Sequence, residues 1–146
     1  MIGYSIDNAK KSFFDRPAVM NAVDRAERGV LSKFGAFVRQ RARSLIRRRK
    51  RISDPGSPPS SHTDLLKKFI FFAFDASTRS VVIGPVRLNR GNGTAPRLLE
   101  EGGTSTIFGR DKKSHPATYK ARPYMGPSLK AELPRYPGLW ANSVKA

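Results

Sequence analysis

Glu100 and Glu101 stand side by side in "RLLEEGGTS", residues 97–105. Paired carboxylates can act as acid and base, hold a metal, or anchor a structural ion pair. Neighbouring positions on a helix point about 100° apart, whereas two carboxylates working on one bond must converge on it. The spacing therefore argues against a catalytic pair. His62 and His115 lie in loop-like stretches far apart in sequence, and neither has a partner at ligand or base spacing. "RGNGTAP" (90–96) sets glycines before a helix start but lacks the Lys-Ser/Thr of a P-loop and follows no parallel strand, so a plain loop is the better reading. Without cysteine there is no thiolate metal site, cysteine nucleophile or disulfide scaffold. These residues define no catalytic, cofactor or metal site, and no enzyme is expected.

Charge is the stronger signal. Lys+Arg 28 against Asp+Glu 11 gives a formal net charge of +17, a balance that calls for a polyanionic partner. It is densest at Arg47, Arg48, Arg49, Lys50 and Arg51. Cations suit a helix C-terminus, but by at most about 1 kcal/mol each, too little to justify five in a row. Spread over more than a helical turn, they fit a groove or ring interior, with acidic protein walls the first choice of partner and DNA phosphate the second. The bland alternative is a solvated helix end. Zinc-finger spacing is absent, and "KFIFFAF" (68–74) lacks the glycine pattern of an RNA-recognition strand. The longest apolar run, "FIFFAF" (69–74), falls well short of the roughly 20 residues that span a bilayer, so no membrane partner is expected. "MIGYSIDNAKKSFF" has no apolar core followed by a small-residue cleavage site, and no secretory signal is read there.

The elements that must position these residues form one domain with extensions, as 146 residues and 38% hydrophobic content allow. Residues 1–15 read as an arm with scattered apolar groups. "DRP" then starts a helix with Pro17 in its first turn, and helical spacing from Val19 through Phe34 to Leu45 carries it to about Lys50. Gly29 and Gly35, each costing about 1 kcal/mol relative to Ala, imply a bend or a close packing partner. Residues 52–63 are a proline- and serine-rich loop, suited to reaching outward. "FIFFAFDASTRSVVIGPV" (69–86) is a β-hairpin signal. Its first strand is apolar on both faces, so the long helix can cover one and the other needs a second cover, from this chain or a neighbour. Ile70, Phe72 and Phe74 are assigned to that neighbour's side. "TAPRLLEEGG" (94–103) reads as a short helix capped by Thr94 and stopped by glycine, "TSTIF" (104–108) as a third strand, and 109–118 as a polar loop. "ARPYMGPSLKAEL" (121–133) reads as a strand leading into a helix begun at Pro127 and stopped by Pro134. Residues 134–146 form a tail that retains Leu139 and Trp140. The fold class is α+β: a long N-terminal helix and a shorter C-terminal helix packed on a small antiparallel sheet.

The order of three segments resembles a known family. "DLLKKFIFFAFDASTRSVVIGP" (64–85) is similar to its leucine-led turn and strand followed by a valine-rich strand ending in Gly-Pro. "APRLLEEGGT" (95–104) resembles its Ala-Pro-x-x-x-Glu-x-Gly-Thr segment, and "ARPYMGPSL" (121–129) its Ala-Arg-Pro-Phe-x-x-Pro-Ala-Leu segment. These are the tail-completion and head–tail joining (neck) proteins of long-tailed double-stranded DNA bacteriophages, and the resemblance covers residues 16–133. It implies a non-enzymatic virion component, made in the host cytoplasm, that forms a ring, commonly six-fold. The ring's partners are the tail-tube protein and the head–tail connector protein, with non-specific contact to packaged DNA as a further option. It also implies that Glu100 and Arg122 are a structural pair, within one subunit or across an interface, with Gly102 and Gly103 turning the chain behind the glutamate.

Overall fold

In the computed structural model, which describes residues 16–86, 95–108 and 113–145, every fourth residue of the first helix is buried. The helix, α1, spans Arg16–Leu45, and Ala22, Ala26, Val30, Phe34, Val38 and Ala42 form its buried stripe. A four-residue step advances about 40° around a helix, so the stripe winds through about 200° and meets different partners along its length. The C-terminal segment packs along one side of it, where Phe34 meets Tyr136 edge to face at 5.0 Å. The first hairpin covers its middle, and its far end enters the main core, where Ala42 and Ile46 pack with Leu66, Ile70 and Tyr124.

The helix ends at Leu45, short of the expected Lys50. Ile46 is fully buried in that core, and the chain leaves it extended: β1 (Arg47–Arg48) pairs in parallel with β2 (Ser60–Ser61). Extended backbone sets successive residues about 3.3 Å apart, against 1.5 Å of rise in a helix. Five adjacent cations repel one another less when spread in this way. After β2 comes a single turn, α2 (Leu65–Lys68).

The hairpin expected from two β-rich runs joined by a polar turn is present. β3 (Ile70–Asp75) and β4 (Ser80–Pro85) are antiparallel, with Phe72 opposite Ile83 and Phe74 opposite Val81. Asp75 closes the turn, accepting from Ser77 N at 2.9 Å and Thr78 Oγ1 at 2.8 Å. Arg79, in the left-handed region at φ 49°, reaches to α1: its Nε donates to Glu27 at 2.7 Å and its Nη2 to Asp24 at 2.8 Å. Gly35 lets the hairpin approach the helix, because a Cβ there would lie 2.7 Å from Val81 Cγ2 and 2.9 Å from Phe72 Cδ2. Of the two helix glycines, only this one marks a close approach, since nothing lies within 4 Å of a Cβ placed at Gly29.

The short helix α3 (Ala95–Glu101) ends at glycine as expected, with Gly102 at φ +76° donating its N–H to Leu98 O at 2.9 Å. Residues 114–119, expected to be loop, are a strand: β5 (Gly103–Phe108) pairs antiparallel with β6 (Ser114–Tyr119) in a second ribbon. Polar side chains and Pro116 hid it, because β6 is exposed along most of its length and carries no apolar alternation. Residues 120–124 form no strand. Then α4 (Met125–Glu132) starts two residues before Pro127, and Pro134 does not end the helical segment: a 3-10 turn (Leu133–Arg135) carries it into α5 (Tyr136–Trp140). The α+β class holds, with the antiparallel pairing divided between two ribbons. The arm at 1–15 and the Thr94 cap lie outside the described residues.

Candidate functional site

Residues from three segments, 64–85, 95–104 and 121–129, come together at one junction, and Glu100 is its centre. The Glu100 carboxylate sits over the start of α4 and accepts three backbone N–H groups: Tyr124 at 2.9 Å and Met125 at 3.0 Å on Oε2, and Gly126 at 2.7 Å on Oε1. These are donors that a helix N-terminus leaves unpaired, and the positive end of the helix dipole favours an anion there. Gly126 gives the carboxylate room, since a Cβ would stand 3.1 Å from Oε1. Behind the glutamate, a Cβ on Gly102 would lie 3.0 Å from both Ala121 N and Tyr119 O, and Gly103 also has a positive φ, +127°. The turn ascribed to these glycines is therefore where it was expected.

The expected Glu100–Arg122 pair does not form within the chain. Arg122 turns the other way: its Nε donates to Ser53 O at 3.0 Å and its Nη1 to Lys120 O at 3.2 Å. The helix start outcompetes the guanidinium because three converging N–H groups occupy both carboxylate oxygens. Arg122 instead joins the 52–63 loop to the junction, and Gly56 N donates to Ala121 O at 2.8 Å beside it. Glu101 points away and pairs with Arg97 on the surface at 2.8 Å.

Tyr124 is fully buried beneath the junction. Its phenol is held well above its ordinary pKa, first by burial and then by the Glu100 charge. Sequence reasoning missed a second buried acid, Glu132. It accepts from Arg41 on α1 and, at 3.1 Å, from Arg135. Its carboxyl is held below the usual carboxylate range, chiefly by the hydrogen bond from Arg41. The signal available was an acid in a helix otherwise followed by cations; its partner lies 91 positions away.

The hairpin presents the reverse of the face assigned to a neighbour. Ile70 is fully buried, and Phe72 and Phe74 are half-buried on the side of α1, with Phe72 against Gly35. The uncovered residues are Phe71 at 47%, Val82 at 61%, Phe69 at 38% and Val86 at 49% exposure. Both strand faces are apolar, so alternation alone could not say which one the helix takes. Gly35 and the core's claim on Ile70 decide it.

Residues 47–51 are all exposed, but as extended chain rather than a helix end. Arg48 lies 3.7 Å from Asp64, and none of the other four is in an ion pair with a described residue. The 52–63 loop folds back instead of reaching out: Ser60 Oγ donates to Arg51 O at 2.7 Å, Arg49 N to Ser61 O at 3.3 Å, and Ser53 is buried. His62 and His115 are exposed. Among the described residues no group of His, Cys, Asp or Glu could hold a metal ion, and no helix is long and apolar enough to cross a membrane.

Fold and surfaces together define a small α+β chain whose buried polar groups serve structure and whose distinctive exposed features are an apolar sheet face and a strip of cations. No family model, curated protein or solved structure matches the chain.

Proposed function

We propose that this chain is a structural virion protein of a long-tailed double-stranded DNA bacteriophage. In this reading it is a tail-completion or neck protein, forming a ring, six-fold in the expected order, between the tail-tube protein and the head–tail connector. It carries out no reaction and takes no cofactor. The observation that carries the reading is the Glu100 junction. Three short segments, similar to the family in order and spacing, would be a weak signal if they were scattered. Here the second segment's glutamate caps the helix begun by the third, while Leu66 and Ile70 of the first pack with Tyr124 of the third. The uncovered hairpin face adds support, since a contiguous apolar surface of this kind marks an interaction site.

Light scattering on the purified chain, alone and mixed with the tail-tube and connector proteins, tests the proposal. The expected result is a ring or a stoichiometric complex, with the chain located at the neck of intact virions by electron microscopy. The exposed cations favour a second reading, a basic nucleic-acid-binding protein of ribosomal or nucleoid type. A chain that stays monomeric with every virion partner and binds duplex DNA or RNA tightly in that state would replace the first reading with the second.

A further inference from the structure

We infer that residues 47–51 are a docking strip for the phosphate backbone of duplex nucleic acid, bound without regard to base sequence. The inference does not rest on ring formation. It begins with where the fold's negative charge goes. Asp24 and Glu27 hold Arg79, Glu101 holds Arg97, and Glu132 holds Arg41 and Arg135. Glu100 is taken by backbone N–H groups and Asp75 by its own turn. Asp64 reaches Arg48, and Asp54 is in no ion pair with a described residue. Arg47, Arg49, Lys50 and Arg51 are thus left without a carboxylate partner among the described residues.

The strip is also held in place. Arg47 and Arg48 pair with Ser60 and Ser61, and Ser61 O and Ser60 Oγ fix the backbone at Arg49 and Arg51. The loop that supplies these contacts is itself tied to Ala121 and Arg122. A fixed backbone spends less entropy on binding than a free basic tail. Four of the five side chains are arginines, whose planar forks match phosphate oxygens.

Composition separates phosphate from an acidic protein surface as the partner. Protein interfaces enrich arginine, but around an apolar and aromatic centre. Among the described residues the exposed large aromatics are Phe69 and Phe71, at the hairpin, and of the two apolar residues flanking the strip in sequence Ile46 is buried and Ile52 exposed. The strip holds cations alone, and the phosphate backbone is the part of a duplex that can neutralise all of them whatever the base sequence.

The test is fluorescence anisotropy with the purified full chain and a labelled duplex of about 20 base pairs across a salt series. Each phosphate neutralised contributes about −0.9 to the log–log salt slope. Substituting Arg47, Arg49, Lys50 and Arg51 together by Ala should remove up to about 3.6 of that slope and lower affinity by at least about tenfold at moderate salt. A charge-matched control, with Arg25, Lys33, Lys130 and Lys145 changed to Ala, should keep the slope within about 1 of the parent. Circular dichroism melts check that both variants fold. Should the fourfold variant melt early, the single changes Arg47→Glu and Arg51→Glu carry the same test, each expected to cut the slope by about 1. Equal losses in strip and control variants would overturn the inference, since only net charge would then matter. Poly-glutamate of matched charge binding as tightly as the duplex would also overturn it and assign the strip to an acidic protein.

Discussion

Three N–H groups converge on Glu100, and hydrogen bonds to a charged group contribute about 1.5–3 kcal/mol each where desolvated. This site is partly buried, so Glu100→Ala should destabilise the fold by about 2–4 kcal/mol in urea titration. Arg122→Ala, which releases Ser53 O, should cost about 1 kcal/mol. Because the two side chains serve different partners, the double variant should be additive to within about 0.5 kcal/mol. A coupling of 2 kcal/mol or more, estimated as for a buried pair, would restore the direct ion pair. At this scale the sequence pointed to Glu100, and within the chain its partners are backbone N–H groups rather than Arg122. A glutamate before Gly-Gly and an arginine before Pro are both visible in a string. That α4 starts at Met125 and aims its free N–H groups at Glu100 is a matter of tertiary position.

Between elements, the contact of α1 with the hairpin turns on one glycine. Gly35→Ala gains about 1 kcal/mol of helix propensity but drives a methyl into Val81 and Phe72, where overpacking costs about 1–3 kcal/mol. Net destabilisation, or at best no gain, is expected. Gly29→Ala meets no atom and should stabilise by about 0.5–1 kcal/mol. Urea melts of the two variants should move in opposite directions. α1 and α4 are joined by Glu132, and the sign of its pH dependence follows from its depressed pKa. Stability from this group is full above its unfolded value near 4.5 and is lost as pH falls through the lower folded value. Melting temperature should therefore fall below about pH 4.5 in the parent, and Glu132→Gln should be less stable at neutral pH with a flatter acid limb. A limb unchanged by the substitution would assign the acid loss to other carboxylates. The long helix was legible because apolar residues recur at helical spacing over many turns, and the first hairpin because two β-rich runs flank a polar turn. The end of α1 was not, since cations read as good helix formers while Ile46 is drawn into the core, and β6 was not, since nothing apolar alternates along it.

For the whole molecule, the sequence reading gave the Ile70, Phe72 and Phe74 face of the first strand to a neighbour, and that face lies against the chain's own core and α1, leaving the Phe71 face uncovered. Phe71 and Phe72 differ by one position and face opposite ways, so they make a matched test of where assembly occurs. Phe72 packs on Gly35 inside the chain. An aspartate there buries an unpaired charge, for which several kcal/mol is the expected cost, and Phe72→Asp should fail to fold. Phe71 is about half exposed, with the Arg39 guanidinium 5.8 Å from its ring and Phe69 edge to face beside it. Phe71→Asp should therefore keep the parent's melting temperature to within a few degrees, about 1 kcal/mol or less. If the uncovered face is the subunit or tail contact, the same change places a charge at the apolar centre of an interface, where truncating a hot-spot residue alone costs about 2 kcal/mol or more. Sedimentation or light scattering with the tail-tube and connector proteins should then show a folded chain that no longer assembles. Full assembly by Phe71→Asp would move the contact off this face, leaving the exposed β5–β6 ribbon as the next surface to test.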